Sequence, residues 1–152
     1  MLRLPRRTLF ALEAVVDIAY NARPDPVQAK EITRRQGIPP RYLEQVMQQL
    51  VRAGILKGVR GPRGGYTLAR ERRRISVGEV IRAIEGFDDP ENGEASAEPG
   101  SPIGIKVVRP LLDDLRAELE KRLDQTTLED LCSTAQVSEV PLVAPARADF
   151  TI

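Results

Sequence analysis

The sequence predicts a mostly α-helical chain with one small β-hairpin and a long helix near its C-terminus. Three observations predict it. Two helical segments, Gln28 to Gln36 and Pro40 to Ala53, are separated by Gly37. A basic, Gly-rich stretch follows them, Val59-Arg60-Gly61-Pro62-Arg63-Gly64-Gly65-Tyr66. Apolar residues then recur at helical spacing from Val108 to Leu123. Together these describe a winged helix-turn-helix domain, mostly α with a small β wing, followed by a C-terminal dimerisation helix.

Each element has a local reason. Thr8 to Asn21 reads as the first helix, with Leu9, Leu12, Val16 and Ala19 on one stripe, broadened by Val15 and Ile18. Arg23-Pro24-Asp25-Pro26 ends it, because proline cannot continue a helix. In the second helix Ala29 and Ile32 should face inward, and Gly37 is placed to stop it in a left-handed conformation. Pro39 or Pro40 can open the third helix, since a proline in the first turn forfeits no needed N–H. Leu43, Val46, Met47, Leu50 and Val51 follow helical spacing and should be its core face. The opposite face carries Arg41, Tyr42, Glu44, Gln45, Gln48, Gln49 and Arg52. Gln and Arg can bond a base edge in two places at once, whereas an ordinary solvated face more often carries Glu/Lys pairs.

Ile55–Val59 and Gly65–Leu68 read as strands joined by Arg60 to Gly64. The glycines allow a tight turn and close approach to a phosphate, and the arginines supply charge. No Gly-Lys-Ser/Thr follows, so this is not a nucleotide loop, and a plain hairpin turn is the simpler alternative. Ser76 should cap the helix Val77 to Glu85, with Glu79 completing a capping box and Gly86 ending the helix. Val77, Val80, Ile81 and Ile84 should pack it on the domain.

Residues 88–102 are acidic and rich in Pro, Gly and Ser, the composition of a mobile loop. In the last long helix, Pro110 should lie at the start, or mark a kink if the helix begins at Ile105. Val108, Leu111, Leu112, Leu115, Leu119 and Leu123 form a seam flanked by charges, which favours a symmetric partner helix over packing back on its own domain. Leu128 and Leu131 suggest a short closing helix capped by Thr127. The expected divisions are a DNA-binding domain over 1–87, an acidic loop over 88–104, dimerisation and closing helices over 105–134, and a disordered tail over 135–152.

Charge and composition narrow the function. Residues 1–85 carry 17 Lys/Arg and 8 Asp/Glu, whereas residues 86–152 carry 6 and 14. A basic half beside an acidic half predicts one polyanion-binding surface. The chain has no His and one cysteine, Cys132. That removes imidazole triads, His-based metal sites and any intramolecular disulfide, so an enzyme is not expected. No apolar run is long enough to span a membrane, and the basic N-terminus leads into an amphipathic helix rather than a signal peptide. A cytoplasmic protein is expected.

Three blocks, in order, resemble the Rrf2 family of winged-helix transcription regulators. They are Tyr42-Leu43-Glu44-Gln45, then Val59 to Tyr66, then Ile75-Ser76-Val77-Gly78-Glu79-Val80-Ile81-Arg82-Ala83-Ile84-Glu85-Gly86. Thr127-Leu128-Glu129-Asp130-Leu131 is similar to the family's closing helix, and the resemblance covers about residues 1–134. It implies a homodimer, most often a repressor, on a palindromic promoter site in double-stranded DNA. It places base reading on Pro40 to Ala53, the wing on Arg60 to Tyr66 and backbone contacts on Leu4 to Thr8. The implied DNA-binding set is Arg6, Arg7, Thr8, Arg41, Tyr42, Gln45, Gln48, Arg60, Gly61, Arg63, Gly64 and Tyr66. Pro5 departs from the Ser or Thr common in the family.

Cluster-binding members carry three close cysteines before the dimer helix, and this chain has none there. Cys132 alone cannot hold an iron–sulfur cluster, so no cofactor is expected. Cys132 reads as a small buried residue beside Leu131, with a redox thiol as the alternative. The effector, a small ligand or a partner protein, is not specified. A winged helix that binds another protein rather than DNA is the second function class.

Overall fold

The computed structural model describes residues 4–85 and 100–143. The order is α1 (Arg6–Tyr20), α2 (Ala29–Gln36), α3 (Pro40–Arg52), β1 (Leu56–Val59), β2 (Gly65–Leu68), α4 (Val77–Glu85), α5 (Arg109–Gln125) and α6 (Leu128–Val137).

α1 is the central helix, packed by α2, α3, α4 and α6. Its interior face is Thr8, Ala11, Ala14, Val15, Ile18 and Ala19. The expected stripe is therefore rotated: Leu9 is exposed, and Leu12 and Val16 are only partly buried. The reason is space. Several helices cross α1, and alanines let their backbones approach. Two further inward expectations fail. Ala29 is exposed, and so is Val51. α3 ends one residue after Val51, the chain turns at Gly54 (φ +74°), and Ile55 and Leu56 take the core positions instead.

α2 and α3 form the helix-turn-helix, with Gly37 at φ +66° and the buried Ile38 in the turn between them. β1 and β2 pair antiparallel in the register Leu56↔Leu68 to Val59↔Gly65. Val27 adds a third edge, exchanging bonds of 2.9 and 2.8 Å with Tyr66. That backbone is so close to β2 that a Cβ on Gly65 would lie 2.3 Å from the Val27 carbonyl oxygen. The turn residue Gly61 has φ +112°.

Capping divides the helices into two groups. The Glu31 carboxylate accepts from the Gln28 N–H (2.8 Å), Glu79 from Ser76 (2.9 Å) and Asp130 from Thr127 (2.9 Å). These close the N-termini of α2, α4 and α6. α1 and α3 instead start after Pro5 and Pro39, with no side-chain cap and no acidic residue in the first turn.

α5 is preceded by a wide π-type turn, Gly104–Val108, in which the Arg109 N–H reaches the Gly104 carbonyl. Pro110 is the second residue of α5, yet helical backbone already begins at Pro102. Proline lacks an N–H and crowds the carbonyl one turn back, and the wider turn relieves both. The start of α6 is tied to the start of α4: Val77 N–H bonds the Thr126 carbonyl (2.8 Å) and Leu128 N–H the Ile75 carbonyl (2.9 Å).

The segment from 135 was expected to be a tail, but α6 continues through Val137. Glu139 (φ +58°) then turns the chain back onto α1, where the Tyr20 hydroxyl donates to the Val140 carbonyl (2.7 Å) and Val143 N–H to Asn21 Oδ1 (3.0 Å). The expected mobility of residues 88–99, the helix stop at Gly86 and the far tail, 144–152, lie outside the described residues.

Candidate nucleic-acid interface

The interface starts from α3. Leu43, Val46, Met47 and Leu50 are buried against α1, which turns Arg41, Tyr42, Glu44, Gln45 and Gln48 to solvent. Arg41, Gln45 and Gln48 fall at i, i+4 and i+7, one ridge of the helix. Tyr42 leans on Phe10 of α1, ring centroids 6.1 Å apart, so one edge of this ridge is braced by the domain. Gln49 is only partly exposed and its side-chain oxygen is buried, which sets it apart from Gln45 and Gln48.

The wing leaves α3 through Gly54 and exposes Arg60, Gly61 and Arg63 at its turn, while Gly64 and Tyr66 are partly buried. Tyr66 packs on the core and is held by Val27 through its backbone. The arginines differ in their pairing, and Arg34, Arg74, Arg116 and Arg122, away from this surface, make no ion pair among the described residues. Arg23, Arg35, Arg70, Arg72, Arg73 and Arg82 all hold carboxylates. Arg41, Arg60 and Arg63 make no ion pair among the described residues. Glu44 makes no ion pair with Arg41 or Arg52.

At the N-terminus of α1, Arg6 is exposed and Arg7 partly buried. Thr8 departs from expectation. It shares the i, i+3, i+7 stripe with Ala11 and Val15, so its hydroxyl is buried and has no hydrogen-bond partner among the described residues. It is a core residue and cannot present that hydroxyl to a phosphate as it stands.

Sequence reasoning missed the group that sets the angle of this surface. Asp17, buried on α1, accepts from Arg35 (2.8 and 2.7 Å) and Gln36 (2.8 Å) on α2. A carboxylate inside the apolar run of α1 was the available signal. Burial works against the charge on Glu31, but Arg23, the Gln28 N–H and Arg35 outweigh it and hold its carboxyl below the usual value.

Of the expected seam, Val108, Leu111, Leu112, Leu115 and Leu119 are exposed, at 45 to 58%, and Leu123 is partly buried. Cys132 is buried against the core on α6. Burial pushes its thiol up despite the neighbouring Arg72 guanidinium, which pairs with Glu129. Among the described residues no cluster of His, Cys, Asp or Glu could hold a metal ion. An iron–sulfur cluster needs several thiolates, and one buried thiol does not fit it. Among the described residues, no helix is long and apolar enough to cross a membrane.

Residues 4–134 match the Rrf2 family, described as an iron-dependent transcriptional regulator. The HTH-type transcriptional regulator IscR of Vibrio cholerae is 34% identical over 141 residues, 91% of this chain and 80% of that protein. IscR of Escherichia coli is 34% identical over the same length, covering 85% of that protein. The structure of CymR, the global cysteine regulator of B. subtilis, superimposes with a TM-score of 0.73 at 32% identity, over 88% of this chain and 98% of that one. T. potens IscR gives 0.74 at 32% identity, over 93% and 94%.

Proposed function

This chain belongs to the Rrf2 family of DNA-binding, winged-helix transcriptional regulators, and from that premise we propose that it is a homodimeric repressor of a palindromic promoter site. The observation that carries this reading is the exposed face of α3 beside the wing turn: Arg41, Gln45 and Gln48 share one solvent-facing ridge, and Arg41, Arg60 and Arg63 make no ion pair among the described residues.

Two chains joined along the exposed leucines of α5 would present two α3 helices to half-sites about one turn, ~34–36 Å, apart. Arg6, Arg7, Arg60 and Arg63 contact phosphates and set register. The uncapped N-termini of α1 and α3 offer further N–H groups to the backbone. Arg41, Gln45 and Gln48 read base edges, and Tyr42 lies against sugar or a thymine methyl. Thr8 serves by packing rather than by contact. The protein works in the cytoplasm and carries no iron–sulfur cluster, because the ligand thiols are not in the chain.

The test is the salt dependence of affinity for duplex DNA. Arg60→Ala should weaken binding to all sequences alike and reduce the slope of log K against log salt by about 1. Non-specific binding that survives Arg60→Ala intact would remove the wing from the interface.

A further inference from the structure

A groove of about 610 Å³ lies between α1, the end of α2 and the segment 140–143. Small-molecule sites typically have roughly 300–1,000 Å³. Its walls are mainly apolar, from Leu12, Val16, Tyr20, Ala135, Pro141 and Leu142. The DNA-reading surface does not use it, and no residue of α5 lines it. We propose that this groove binds an amphipathic organic cation, an ammonium carried on an apolar body.

The sign of the ligand's charge follows from which polar groups on the walls are already engaged. Asp17 is buried and accepts from Arg35 and Gln36. The Arg35 guanidinium is taken up by Asp17 and also lies 4.0 Å from Glu31. The Asn21 amide donates to the Asp17 carbonyl (3.1 Å) and accepts from the Val143 N–H (3.0 Å). The Tyr20 hydroxyl donates to the Val140 carbonyl (2.7 Å). These last bonds hold the segment 140–143 against α1, so the groove is formed before a ligand enters. Two acceptors stay open. The Glu13 carboxylate lines the groove, is exposed and makes no ion pair among the described residues. The Gln36 side-chain carbonyl accepts no hydrogen bond among them. An anion would meet an unpaired carboxylate and no unpaired cation, whereas an ammonium supplies the N–H donors that both acceptors lack. An apolar body removes the leucine and valine walls from water. A ligand seated there touches Arg35 and Gln36, the two side chains that hold Asp17 and join α2 to α1. An effect of that contact on DNA recognition rests on the DNA-binding reading, whereas occupancy does not and is measured without DNA.

Titration calorimetry on the full-length protein compares three probes that share one apolar body: octylammonium, octanol and octanoate. The expected result is one octylammonium per chain, bound severalfold more tightly than octanol, with octanoate weakest. Glu13→Gln should remove most of that preference and leave octanol binding unchanged. Glu120→Gln makes the same change of charge on the exposed face of α5 and should leave the preference intact. Leu142→Arg, an exposed change on the groove wall, should weaken octylammonium severalfold with the helical circular dichroism retained. Absence of saturable binding overturns the proposal, and so does octanoate binding as tightly as octylammonium. A preference that survives Glu13→Gln, or that Glu120→Gln removes as well, reports the charge of the whole molecule and overturns it. Binding that Leu142→Arg leaves untouched locates the ligand elsewhere, such as on the α5 leucines, and overturns it too.

Discussion

Arg35 on α2 donates two parallel hydrogen bonds, 2.8 and 2.7 Å, into the buried carboxylate of Asp17 on α1. The pair fixes the angle at which α2 leaves the core, and α3 follows across the short turn at Gly37 and Ile38. A structural ion pair therefore orients a surface that contains neither of its members.

Arg35→Ala leaves the Asp17 carboxylate buried with Gln36 as its remaining partner. Breaking a buried pair from one side costs about 3–5 kcal/mol, and the solvent contact of Arg35 favours the lower end. Urea unfolding should show a loss of about 3 kcal/mol, with Asp17→Leu in the same chain recovering much of it. A loss no larger than that of an exposed arginine would mean the pair does not hold α2.

Two glycines should behave differently despite similar crowding. A Cβ on Gly65 meets the Val27 backbone at 2.3 Å, whereas one on Gly78 meets the end of the Asp124 side chain at 2.0 Å. Backbone cannot step aside, but a carboxylate can rotate and lose only the exposed Arg82 pair. Gly65→Ala should lower Tm clearly more than Gly78→Ala and release the Val27–Tyr66 amides to hydrogen exchange. Equal effects would place no weight on the Val27 edge.

Much of this arrangement is legible in the residues. Gly37, the Ser76–Glu79 box and the Thr127 cap each do in the structure what their positions imply, because their roles are local. The face of α1 is not local. Leu9, Leu12 and Val16 have the right period, but the number of helices crossing α1 selects the alanine face, and periodicity carries no volume. Thr8 followed that face into the core. The Val27 edge and the return of residues 140–143 onto α1 depend on contacts between distant parts of the chain, which leave no pattern in either segment.

Glu79 loses some ease of ionisation to burial. The Ser76 N–H and Arg70 more than offset this, so its carboxyl lies below the usual value. A depressed folded value stabilises above the unfolded carboxyl range and is lost as pH falls through the folded value. Stability should therefore drop on acidification through the carboxylate range, and Glu79→Gln should flatten that part of the curve. An unchanged acid limb would remove the α4 cap from the balance.

Leu112 and Leu115 are about half exposed on α5 in the single chain, so they do not hold its own fold together. Leu112→Glu with Leu115→Glu should give a folded monomer by sedimentation, with half-site affinity for DNA. A dimer that persists would locate the pairing surface elsewhere.

The central claim is that two copies of α3 read a symmetric sequence. Selection from a random duplex pool, run with the wild-type chain and with Gln45→Ala, tests it most directly. The account predicts a palindrome with half-sites about one turn apart, and a loss of about 1–3 kcal/mol of discrimination at one position of each half in the variant. A pool that stays random, or an asymmetric motif that Gln45→Ala leaves unchanged, would contradict it.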